Sequence, residues 1–151
     1  MGAIAAGATA AAAIAVRSRV VVVEVDGISM SPTYGPGDRV LVRRCRLDHV
    51  RRGQVVVVQR PDERTGWSDP ASWDGRLDGR GWYIKRAVAV PGDPVPDAVL
   101  AAVGSAGATV PPGKLVVLGD NPRSDDSKRW GYVPADRLLG VVMRRMASIG
   151  A

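Results

Sequence analysis

Three short segments, in chain order, carry residues able to make and break an acyl bond. Residues 27–33, Gly-Ile-Ser-Met-Ser-Pro-Thr, put Ser29 on a turn bounded by glycine and proline. Residues 83–86, Tyr-Ile-Lys-Arg, put Lys85 into an otherwise apolar run. Residues 119–131, Gly-Asp-Asn-Pro-Arg-Ser-Asp-Asp-Ser-Lys-Arg-Trp-Gly, form a loop dense in groups that orient other side chains. A serine hydroxyl is a weak nucleophile and needs a base within hydrogen-bond reach. A lysine amine serves as that base only when neutral, so its pKa must fall well below ~10.4; burial among apolar groups does this. The set points to serine–lysine acyl transfer without histidine, since the single histidine, His49, sits between Asp48 and Val50. Singly, each segment has a plainer reading: a turn serine, a solvent-facing strand lysine, a solvated acidic loop.

Other chemistries fit less well. Cys45 is the one cysteine, so no intramolecular disulfide forms. Arg43, Arg44 and Arg46 around it could lower its pKa, but no histidine is near in sequence, and an ordinary strand cysteine is the simpler reading. One cysteine and one histidine are too few for the usual zinc ligand sets, no cation-binding loop spacing is present, and no cofactor is expected. The net charge of +6 admits anionic partners. Phenylalanine is absent and the arginines come in short groups, so nucleic acid is not the expected partner.

The elements that must hold these segments read as strands. Residues 20–25 are β-branched apart from Glu24, residues 39–43 alternate around Val40 and Val42, and residues 54–59 carry four consecutive valines. Residues 83–90, 115–118 and 138–146 continue the pattern, with Gly/Pro turns between. The expectation is a mainly β, compact domain of antiparallel sheets, barrel-like or folded from two sheets, over residues 20–151. Residues 60–81, with Trp67 and Trp73, and residues 93–113 read as loops or small excursions on that scaffold. The tryptophans suit either a lipid interface or packing on their own loop.

Residues 1–16 are uncharged and mostly alanine, and Arg17 and Arg19 end the run. A helix of that length spans roughly 24 Å against a hydrocarbon core of ~30 Å, a gap that snorkelling arginines and local thinning reduce. A short apolar helix over residues 1–16, within an anchor of residues 1–19 that holds the chain in the membrane by a single pass, is the expected arrangement; the alternatives are a cleaved signal segment, a buried or surface helix, or a misassigned start that truncates a longer anchor. The catalytic domain is expected on the extracytoplasmic side, against the positive-inside tendency of the two arginines.

The combination resembles the type I signal peptidase family, membrane-tethered serine–lysine endopeptidases. The likeness spans residues 20–139 and is concentrated in the three segments. In Ser29-Met30-Ser31-Pro32-Thr33 it implies Ser29 as nucleophile, with Met30 as its neighbour in that box. In Tyr83-Ile84-Lys85-Arg86, followed by Pro91-Gly92-Asp93, it implies Lys85 as general base. Across Gly119-Asp120-Asn121, Asp126-Ser127 and Trp130-Gly131 it implies that Ser124 orients the amine and that Asp126 and Lys128 form a supporting ion pair. Three positions depart from the family pattern. Pro122 interrupts the third segment, Lys128 stands where arginine is frequent, and Gly27 stands where some members carry an oxyanion-donating serine. The resemblance implies cleavage of exported preproteins after small residues, in an Ala-X-Ala-like site, next to membrane lipid. Alternatives in view are a dedicated maturation protease with one propeptide partner, a LexA-like self-cleaving regulator, and a catalytically silent peptide-binding β module.

Overall fold

The computed structural model describes residues 19–68, 81–104 and 107–147. Within them lie β1 (Val20–Glu24), β2 (Arg39–Arg44), β3 (Val55–Gln59), β4 (Trp82–Ala89), β5 (Lys114–Leu118), β6 (Val133–Pro134) and β7 (Leu138–Arg145). They form one seven-stranded antiparallel sheet in the order β1-β2-β7-β3-β4-β5-β6. The expected mainly β, antiparallel character is present. The arrangement is a single sheet with β1 and β6 as its outer strands, which is not the two-sheet alternative.

The run of valines in β3 has a simple physical cause. β3 is flanked by β7 and β4 and is covered on both faces, so alternation of polar and apolar residues disappears. Val55 and Val57 pack with Met30, Val40, Val42 and Ile84 on one face. Val56 and Val58 pack with Ala87, Leu115, Val117 and Trp130 on the other. Each such side chain fully removed from water contributes roughly 1.5–3 kcal/mol, so β3 is a well-anchored support for its neighbour β4.

The described part of residues 93–113 is a small excursion packed on the sheet: a 3-10 turn at Asp97–Val99 and a helical turn at Leu100–Val103 carry Val95, Val99 and Val110 onto Ala89 and Val116. The small residues there allow close packing, and their weak hydrophobic periodicity concealed it. Trp67 packs against the core and lies under the Arg137 guanidinium at 5.6 Å, so it is held by residues outside its own loop. Trp73 and the expected apolar helix of residues 1–16 lie outside the described residues. Among the described residues no helix is long and apolar enough to cross a membrane.

Candidate active site

β4 sets the face of each side chain in the second segment. Its register pairs Ile84 with Val57, Lys85 with Val56 and Arg86 with Val55. Successive residues therefore point to opposite faces, and Lys85 and Arg86 separate. Lys85 enters the side that holds Trp130 and Leu115, where it is only 1% exposed. Its Nζ donates to Ser124 Oγ at 2.9 Å and lies 5.8 Å from the Tyr83 ring and 5.7 Å from the Trp130 ring. Burial lowers its pKa to about 8, partly opposed by the carboxylates of Asp126 and Asp125 and slightly reinforced by Lys128. The amine is thus poised to exchange a proton near neutral to mildly basic pH.

Ser29 is carried by a compact turn after β1. Ser31 N donates to the Ile28 carbonyl at 3.0 Å, and Tyr34 N to the Met30 carbonyl at 3.0 Å. Met30 is wholly buried among Val40, Val42 and Val57, so it pins the turn to the core. The Ser29 carbonyl accepts from Asn121 N at 2.9 Å, and Ser124 N in turn donates to the Asn121 carbonyl at 3.0 Å. One short relay therefore couples the serine turn to the loop that holds the lysine's partner.

That loop is fastened by Asp126, which is 0% exposed. One of its oxygens accepts from Gly119 N at 2.9 Å and Lys128 Nζ at 3.1 Å, and the other from Lys128 N at 3.1 Å. Ser127 Oγ accepts from Val117 N at 2.9 Å, so the loop is tied to the last residues of β5. Replacing Asp126 by asparagine is expected to cost about 3 kcal/mol, because an amide NH2 would face an N–H donor in a buried site. Urea unfolding would read it as a lowered midpoint with unchanged slope. Lys128→Met should cost much less, since that side chain is 39% exposed.

A second tie joins all three segments on the opposite side of β4. Arg86 grips Asp120 through two bonds, of 2.8 and 2.7 Å, and Thr33 Oγ1 donates to the same carboxylate. The guanidinium and, less strongly, the Thr33 hydroxyl hold the Asp120 carboxyl below the usual carboxylate range. Sequence reasoning gave these residues no role. The alternation that sends Lys85 inward requires Arg86 to find a partner on the other face, and that signal was available.

Ser29, Lys85 and Ser124 line one groove of about 420 Å³, with Val25, Ile28 and Ile84 among its apolar walls. A larger hollow of about 660 Å³ lies beyond the far end of β4, beside Cys45, Leu47 and Pro112, and shares no lining residue with the first. Cys45 lies just past β2 and is half-buried. Its thiol is pushed up by burial despite Arg43, which disfavours the reactive-thiolate reading. Among the described residues no cluster of His, Cys, Asp and Glu suited to a metal ion is present.

The family model described as signal peptidase, peptidase S26, matches residues 1–97 and 97–147. A relative described as probable signal peptidase I-2, from Synechocystis sp., is 29% identical over 134 residues, covering 74% of this chain. The match spans 56% of that relative's length.

Proposed function

The chain belongs to the signal peptidase S26 family, and from that membership we propose a serine endopeptidase that cleaves signal peptides or pro-segments after small residues. The observation that carries the reading is Lys85, a buried amine with a pKa lowered to about 8, lining the same groove as Ser29. In this reading neutral Lys85 takes the Ser29 proton as Ser29 Oγ attacks the scissile carbonyl. The Lys85 ammonium then protonates the leaving amine, and an ester to Ser29 remains. Water, deprotonated by Lys85, hydrolyses that ester and restores both groups. Ser124 holds the amine in place, Met30 seats the turn, and Asp126 with Lys128 keeps the third loop closed. The Ser29 backbone N–H serves as oxyanion donor. Residues 1–19 act as a single-pass membrane anchor and residues 20–151 as the catalytic domain on the extracytoplasmic side. Exported preproteins or a dedicated propeptide are its substrates.

The test is the pH dependence of cleavage of an Ala-X-Ala signal-peptide substrate by the detergent-solubilised full chain. Only the neutral amine is a base, so kcat/KM should climb as pH rises through about 8 and level off above it. Asp126 raises the Lys85 pKa. Asp126→Asn should therefore move the climb to lower pH in whatever fraction stays folded. A flat profile from pH 6 to 10 would remove Lys85 from the mechanism.

A further inference from the structure

The groove beside Ser29 has walls of unequal character. Along the segment leading to the serine, Val25 is buried, whereas Glu24 and Asp26 are exposed, and all three line the groove. An extended peptide laid along this segment alternates in the same way, with every second side chain turned inward. If the residues before the scissile bond are numbered −1, −2 and −3, positions −1 and −3 share a face. Meeting Val25, Ile28 and Ile84, that pair is held to apolar side chains. Position −2 is then turned outward, toward the carboxylates.

Other charges at the groove are distributed so that this wall stays negative. Asp125 is engaged by Arg129 through bonds of 2.8 and 2.6 Å, so its charge is offset. Arg123 also lines the groove, but from the third segment rather than from the segment leading to the serine. Arg39 is the register partner of Glu24, which places a cation beside that carboxylate on the same face of the sheet. Asp26, beyond the end of β1, has no such cross-strand cation. In a chain of net charge +6, a negative wall beside the nucleophile is a local exception.

We propose that Asp26, supported by Glu24, makes the enzyme prefer a lysine or arginine at position −2, the X of Ala-X-Ala. The inference rests on the peptidase reading above. A cation opposite an exposed carboxylate gains a modest, salt-sensitive attraction, and a carboxylate there is repelled by a similar amount.

Three peptides identical except for lysine, serine or glutamate at −2 test it with the full chain. At low salt kcat/KM should fall by about 3-fold from lysine to serine and again by about 3-fold from serine to glutamate. The combined Glu24→Gln, Asp26→Asn variant should bring the three within about 1.5-fold of one another, as should ~1 M salt for the wild type. Arg39→Gln should widen the spread, which a purely structural role for the carboxylates would not do. Equal cleavage of all three by the wild type overturns the preference while leaving the peptidase reading intact. A spread that survives in the double variant assigns it elsewhere and also overturns the proposal. If no peptide is cleaved by folded protein, it is the peptidase reading that fails.

Discussion

Replacing Ser29 by alanine, or Lys85 by methionine, is expected to lower kcat/KM on a signal-peptide substrate by at least about ten-thousand-fold. The double replacement should lose no more than either single one, because a nucleophile and its base act as one unit. Methionine keeps the length and unbranched shape of lysine, so the buried slot stays filled. The same change should raise stability at neutral pH, and here the sign follows from proton counts. Lys85 titrates at about 8 in the folded chain against 10.5 ordinarily, so between those values the unfolded chain binds more protons. Stability therefore rises with pH across that window and is lost as pH falls through about 8. The difference corresponds to about 3 kcal/mol, and methionine should recover part of it, less the hydrogen bond to Ser124. Thermal unfolding of wild type and Lys85→Met from pH 7 to 10.5 checks this. A methionine variant that is inactive and markedly less stable than wild type at pH 7 would contradict the account of a costly buried ammonium.

The second large effect is expected at Gly119. An extension of the β4–β5 register by one step beyond the Arg86–Leu118 pair places Gly119 opposite Lys85. A Cβ there would run into Ser124 Oγ, Ser124 Cβ and the Ser29 carbonyl oxygen, far inside van der Waals contact. Two of the three obstructing atoms belong to Ser124, the hydrogen-bond partner of Lys85, and the third belongs to Ser29 itself. Relief requires the serine turn and the third loop to part. Gly119→Ala should lower kcat/KM by about a hundred-fold, the order expected for a displacement near 1 Å. Its stability cost should be about 1–3 kcal/mol, as for overpacking elsewhere. Since parting the loop also breaks the 2.9 Å bond from Lys85 to Ser124, the acid limb of the pH profile should shift as well. Wild-type turnover by Gly119→Ala would show that the three segments need not close around the amine.

The sequence alone determined the kind of element at most positions and the order of the chemical groups. Alternation around Val40 and Val42, the unbroken valines of 55–58 and the Gly/Pro turns are local signals, since strand and turn preferences act over a few residues. The placement of Lys85 and Arg86 on opposite faces was legible for the same reason. What sequence left undecided depends on groups far apart in the chain. Whether Lys85 is a solvated cation or a buried amine is decided by Trp130 and Ser124, the latter 39 residues away. The bond from Asn121 N to the Ser29 carbonyl, and the crowding that requires glycine at 119, arise only when the turn after β1 meets the loop after β5. The core role of residues 93–113 was hidden likewise, because Val95, Val99 and Val110 become apolar contacts only once β4 and β5 lie beneath them. Desolvation and close approach are properties of surroundings, and tertiary structure alone supplies the surroundings.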